Sequence, residues 1–169
     1  MKPILHTLLL LLLLLFMSSC IKEKQKGADL GVSDLIPDFP VAMNDGTQVN
    51  SASLREGVSV IVFFTTSCED CQETLPHMQR LYDEYAPKGV RFALISREDT
   101  EGNILSFWKD NGFTMPFSAQ SDRRIYELFA RSRVPRVYIC RDGVIKYIFT
   151  DKPSIPTYEL LSASLEEVL

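Results

Sequence analysis

Val58 to Phe64 reads VSVIVFF, a continuous β-branched and aromatic run broken only by Ser59. It does not alternate, so neither face is reserved for water. Such a run is a central strand buried on both faces. A strand of that kind needs partner strands at both edges and helices over both faces, which makes the chain α/β. The flanking segments agree. Cys71 to Ala86 sets Leu75, Met78, Leu81, Tyr82 and Tyr85 on one helical face, with Pro76 inside expected to kink it. Val90 to Ser96 is the next strand. Thr100 to Asn111 carries Ile104, Leu105, Phe107 and Trp108 at helical spacing, and Asn111-Gly112 closes it as a C-cap.

The remaining elements are shorter. Before the central strand, Val41 and Met43 lead to Asp45-Gly46 and on to Thr47–Val49, a hairpin signal. Met115-Pro116-Phe117 begins a short extended piece. Asp122 is expected to cap a helix reaching Arg131, buried through Ile125, Leu128 and Phe129. Val134 to Cys140, Asp142-Gly143 and Val144 to Phe149 form a second hairpin. Thr157 to Leu169 closes the chain as an amphipathic helix with Leu160, Leu161, Leu165 and Val168 inward. The order is β-α-β-α, then a hairpin, then a helix. It implies a mixed central sheet flanked by helices, with an N-terminal β-hairpin and a helical insertion.

The N-terminus reads as a targeting signal. Lys2 is followed by an apolar stretch from Ile4 to Phe16, too short to span a bilayer comfortably and suited to a secretory signal. Met17-Ser18-Ser19-Cys20 then resembles a bacterial lipoprotein signal, which implies cleavage after residue 19 and a lipid on the Cys20 sulfur. Met17 departs from the aliphatic residue usual there. An ordinary signal peptide with a chance cysteine is the alternative. Residues 20–34 are polar and charged, a flexible tether, and the domain is expected to span 35–169. One domain with one core fits that length. The net charge is −4 with no basic stripe, which argues against a nucleic-acid partner. The expected location is the bacterial envelope, with the membrane reached through the lipid and the chain a monomer.

There are four cysteines, and Cys68 and Cys71 are spaced C-x-x-C at the start of a helix that follows a buried strand. A helix N-terminus offers free N–H groups and positive partial charge, and both favour a thiolate, the reactive form of cysteine. The three-residue offset puts Cys71 one helical turn further in, within reach of Cys68. A structural zinc site would need four ligands, and only His77 and the distant Cys140 are left to supply them. A purely structural disulfide is the other alternative, since exported proteins carry them. A redox pair suits the strand-to-helix placement better than either. Nothing here calls for a cofactor or a metal.

The chain resembles the membrane-anchored thiol–disulfide oxidoreductases of the TlpA/ResA type, within the thioredoxin superfamily. The likeness runs from about Leu35 to Leu169. It rests on PDF (Pro37–Phe39), the Asp45-Gly46 turn, Leu54 and Gly57, FFTTSCEDCQETLP (Phe63–Pro76) and VPRVYICRDGVI (Val134–Ile145). It implies a thioredoxin-like fold, Cys68 as attacking nucleophile, Cys71 as resolving cysteine and a cis Val134–Pro135 bond. A cis X-Pro beside a dithiol would expose the Val134 backbone to an extended substrate segment. The implied partners are thiols or disulfides of exported proteins and an envelope electron donor.

Three places depart from that family. Ser67 stands where Trp is usual. Thr74 stands where a Glu is frequent, with Glu73 shifted by one. Glu69 and Asp70 fill positions that are usually small or Pro. These two acids repel a Cys68 thiolate and so favour the disulfide, pointing to a reductant rather than a strong oxidant. His77 reads as a solvated helix residue and Cys140 as a small buried filler. Arg123, Arg124, Arg131, Arg133 and Arg136 read as solvated surface. Two other functions compete. Thr65, three residues before Cys68, is placed as in peroxiredoxins, although Ile61 stands where they carry Pro, so a thiol peroxidase is one. A non-catalytic thioredoxin-like binding module is the other.

Overall fold

A computed structural model describes residues 29–169 of the chain. The stretch read as a signal peptide, Cys20 and most of the stretch read as a tether lie outside the described residues. The elements are β1 (Pro40–Ala42), β2 (Gln48–Asn50), α1 (Ser51–Leu54), β3 (Val58–Phe64), α2 (Glu69–Tyr85), β4 (Arg91–Ser96), α3 (Glu101–Asn111), β5 (Phe117–Ser118), a 3₁₀ turn (Tyr126–Leu128), β6 (Arg136–Arg141), β7 (Val144–Thr150) and α4 (Tyr158–Glu166). Strands β5-β4-β3-β6-β7 form one mixed sheet, and β1-β2 form a separate antiparallel pair. This is the thioredoxin-like α/β arrangement. Every residue of β3 is buried. It pairs parallel with β4, Phe64 opposite Ser96, and antiparallel with β6, Phe63 opposite Arg136.

The alternating Cβ directions of β3 send Phe63 and Phe64 to opposite faces. Phe63 meets Phe129 at 4.9 Å and Tyr126 at 5.3 Å between ring centroids. Phe64 meets Trp108 at 5.2 Å, and Trp108 continues to Phe117 at 5.0 Å. Truncating either phenylalanine to Ala would cost about 3–5 kcal/mol. Trp108 is placed by α3, capped at its start by Thr100 accepting from Asn103 N and at its end by Gly112 at φ 68°. The indole N–H donates to Met115 O at 2.9 Å.

The β1–β2 turn uses Asp45, which accepts from the amide and hydroxyl of Thr47, and Gly46 at φ 84°. Asn44 fastens this hairpin to β5: its amide donates to Phe117 O and its side-chain oxygen accepts from Phe117 N, both at 2.8 Å.

Several expectations need correction. No α-helix spans 122–131. Asp122 accepts from Arg124 N and pairs with its guanidinium, spending the cap on a local turn. Only Tyr126–Leu128 are helical; Phe129 is buried, whereas Leu128 is 44% exposed. In α4, Leu161 and Leu165 face the core but Leu160 is 43% exposed. Leu105 likewise faces out.

The first described residues fall within the stretch read as tether, and they are bonded to the domain. Leu30 N donates to Phe129 O and Ser33 N to Ile145 O, each at 2.8 Å. Asp29 accepts from Arg131 N and pairs with Arg136, both at 2.8 Å.

Candidate active site

Strand β3 ends at Phe64, and Thr65-Thr66-Ser67 carry the chain from the sheet into α2. Cys68 is the N-cap of that helix, in extended conformation at φ −95° and ψ 119°. The cap role is normally taken by an oxygen. Here the Cys68 Sγ accepts from Cys71 N at 3.4 Å. One of the unsatisfied amides at the helix start is thereby aimed at the sulfur. Cys68 is partly exposed and Cys71 fully buried, and both thiols are free.

Burial pushes the Cys71 thiol well up. The Thr65 amide and the positive charge of Arg97 pull the other way, while the neighbouring Cys68 adds to the rise. Cys71 therefore ionises only with help from its surroundings. Glu69 and Asp70 occupy the first turn of α2, Glu69 exposed and Asp70 half-buried. Their charges favour the helix dipole by a few tenths of a kcal/mol each, about 0.3 at such exposure. Thr74 is buried and donates its hydroxyl to Asp70 O at 2.7 Å.

The loop before β6 comes to the same spot. The Val134–Pro135 bond is cis, as is Lys152–Pro153. The Cys68 thiol donates to Val134 O at 3.4 Å. The loop is held from several sides. Arg133 sits in the left-handed region at φ 73°, its carbonyl accepts from the Tyr126 hydroxyl at 2.8 Å, and its guanidinium pairs with Asp151 at 2.9 Å. Arg136 is only 6% exposed, which corrects its reading as a solvated surface residue. It donates to Asp29 at 2.8 Å and to Ser132 O at 3.0 Å.

The structure therefore brings Cys68, Cys71, Val134 and Pro135 together, with Glu69 and Asp70 at the rim. Cys140 lies apart, buried in β6 opposite Ser59, and burial pushes its thiol up to about 12. His77 is half-buried further along α2. The Thr65 hydroxyl that suggested a peroxidatic site lies within reach of Asp99 at 3.4 Å and Ser67 at 3.2 Å.

Asp99 is the residue that sequence reasoning missed. It is buried beneath the Thr65–Thr66 loop and accepts from Thr66 N at 2.8 Å and the Thr66 hydroxyl at 2.6 Å. Burial pushes its carboxyl up, but the donors from Thr66, Asn103 and Thr100 outweigh burial and hold it below the ordinary carboxylate value. Among the described residues no three His, Cys, Asp or Glu side chains gather as metal ligands would.

A partly exposed sulfur that receives a helix-start amide and faces a backbone carbonyl, with a buried second sulfur one turn on, can form and resolve a mixed disulfide. Comparison with known proteins gives a consistent picture. The family model described as AhpC/TSA family matches residues 32–148. Thiol-disulfide oxidoreductase ResA of Oceanobacillus iheyensis is 28% identical over 122 residues, covering 69% of this chain and 64% of that protein. A solved structure of a proposed protein disulfide isomerase from Bacteroides thetaiotaomicron has a TM-score of 0.74 at 21% identity, over 86% of this chain and 92% of that one. The thiol:disulfide interchange protein of Chlorobium tepidum has a TM-score of 0.69 at 19% identity, over 83% and 99%.

Proposed function

We propose, from the premise that this chain belongs to the AhpC/TSA family, that it is a thiol–disulfide oxidoreductase working through Cys68 and Cys71 on cysteines of exported proteins. One juxtaposition carries the reading: the accessible Cys68 sulfur, with Cys71 N and Val134 O each 3.4 Å away. The names of its ResA relatives support the same reaction class.

Cys68 attacks a substrate disulfide as a thiolate, one substrate sulfur leaves with the electron pair, and a mixed disulfide remains. Cys71 then attacks Cys68, closing the enzyme disulfide and releasing the reduced substrate. In the resting thiol form, Cys68 S–H occupies the Val134 carbonyl. Ionisation of Cys68 withdraws that donor, and an extended substrate strand can supply an N–H in its place. Glu69 and Asp70 oppose the thiolate and bias the pair towards its disulfide, so the enzyme gives electrons to its substrates and takes them from a donor in the envelope. A lipid on Cys20 holds it at the membrane, and Cys20→Ala is expected to release it into the soluble envelope fraction.

The test is a Cys71→Ala trap in the full chain. Mixed disulfides to exported proteins through Cys68 are expected. Peroxide consumption without a protein substrate would replace this reading with a peroxidase. Full function after both Cys68→Ala and Cys71→Ala would replace it with a binding module.

A further inference from the structure

We propose that Asp99 is a positioning residue for the resolving step, holding the Thr65–Thr66 loop so that the Thr65 backbone serves both cysteines. The inference rests on the dithiol reading above and adds a residue to it.

Strand β4 ends beside the active-site loop, where Arg97 N still donates to Phe64 O at 2.7 Å. Glu98 then adopts φ 60°, a conformation uncommon for a residue with a side chain and costly outside glycine. That reversal returns the chain beneath the loop after β3, where Asp99 N is tied to Gln120 O at 2.9 Å. Asp99 Oδ2 takes Thr66 N, the Thr66 hydroxyl and, at 3.4 Å, the Thr65 hydroxyl. Its Oδ1 takes Thr100 N at 2.9 Å and Asn103 Nδ2 at 3.2 Å. An ionised carboxylate has about four lone-pair sites. With five donors on them, Asp99 has no room to accept a thiol proton, so it does not act as a base.

Both residues gripped by Asp99 are tied to the start of α2, Thr65 at Cys68 itself and Thr66 at Gln72. Thr65 O accepts from Cys68 N at 3.3 Å, and Thr66 O accepts from Gln72 Nε2 at 2.7 Å, pinning the first turn of α2. The Thr65 amide bears on the Cys71 sulfur and favours its thiolate. Resolution is the step that needs this. Cys71 must attack as a buried thiolate. The Cys71–Cys68 bond forms as the Cys68–substrate bond breaks, and the electron pair leaves on the substrate sulfur. Releasing the Thr65–Thr66 loop takes away a donor from a sulfur that burial makes hard to ionise.

The experiment follows a Cys68–glutathione mixed disulfide, formed with glutathione disulfide, in wild type, Asp99→Asn and the milder Thr66→Val. For Asp99→Asn the mixed disulfide is expected to live about tenfold longer, the order expected for losing a hydrogen bond to a charged group. Thr66→Val should move it the same way by less. Initial glutathionylation of Cys68 should stay within about twofold, a split that general loosening of the fold does not produce. An unchanged or shortened lifetime in both variants would overturn the role of Asp99, the shortened case showing that its negative charge outweighs its grip. Failure of the wild type to form a Cys68–glutathione adduct would instead overturn the dithiol reading itself.

Discussion

Removing the Asp29 side chain is the sharpest test of how the N-terminal segment contributes to the domain. Its two carboxylate oxygens are both used, one by Arg136 and the other by the Arg131 amide, each at 2.8 Å. In Asp29→Ala the Arg136 guanidinium stays buried, keeping Ser132 O at 3.0 Å and the distant Tyr138 hydroxyl at 3.5 Å. Its Nε has no partner among the described residues. A hydrogen bond to a charged group contributes about 1.5–3 kcal/mol. Asp29 is 39% exposed, so solvent screening brings the value to the lower end. The expected loss is about 2 kcal/mol, or about 5 °C in Tm for a domain of this size. Asp29→Asn keeps an acceptor for the Arg131 amide and should lose about half of that. Urea unfolding of the full chain reads the effect as a lower midpoint at constant slope. A loss below about 0.5 kcal/mol for Asp29→Ala, the range of neutral surface changes, would refute the argument. A chain begun at Leu35 also loses the Leu30 and Ser33 bonds and should fall further.

Three other outcomes are expected. Iodoacetamide should label Cys68 far ahead of Cys71 and Cys140 in the reduced, folded protein, because Cys68 is partly exposed at the helix start whereas the other two are buried and burial pushes their thiols up; peptide mapping that finds Cys140 labelled first overturns the ranking. Replacing Glu69-Asp70 by Gly-Pro should raise the dithiol potential by tens of millivolts in a glutathione titration, where about 30 mV corresponds to 1.4 kcal/mol; an unchanged or lower potential refutes the charge argument. The Asp99 carboxyl is held below its ordinary value of 3.8, so the stability it confers is full above that value and is lost as the pH falls through the lower folded one. The urea midpoint gap between wild type and Asp99→Asn should accordingly narrow from pH 7 to about pH 3; a constant gap counts against it.

What was legible in the sequence was what short-range chemistry decides. The VSVIVFF run has no polar face to offer, so its central place in the sheet follows from composition alone. Thr100 and Gly112 bound α3 because a hydroxyl cap and a left-handed glycine act within one turn. Cys68 opens α2 for the same kind of reason. The failures are residues whose partners are far along the chain. Asp99 reads locally as a neighbour of a helix cap, yet its shortest bond reaches back to Thr66. Arg136 belongs to an arginine-rich stretch that looks solvated, and its charge partner in the buried position, Asp29, lies 107 residues away along the chain. Ile125, Leu128 and Phe129 have helical spacing, but the chain must close quickly onto Arg133, whose carbonyl takes the Tyr126 hydroxyl, and a single 3₁₀ turn suffices. A signal for Asp99 did exist: an acid three residues past the end of a buried strand that runs beside the strand leading to the cysteines.

The antiparallel register of β3 and β6 sets where the chain tolerates insertion. Phe63 lies opposite Arg136, so the end of the strand that leads to Cys68 and the start of the strand that follows Pro135 share one point on the sheet. One residue added within either strand would turn every later side chain to the opposite face and carry Val134 away from the sulfur. The Asp142-Gly143 turn is no safer, because a side chain at Gly143 would collide with Arg55 at 2.4 Å. At Asp45-Gly46 the turn is exposed and nothing lies within 4 Å of an added Cβ. A tag or a grafted loop belongs there, at the one hairpin whose length leaves the spacing between thiol and carbonyl untouched.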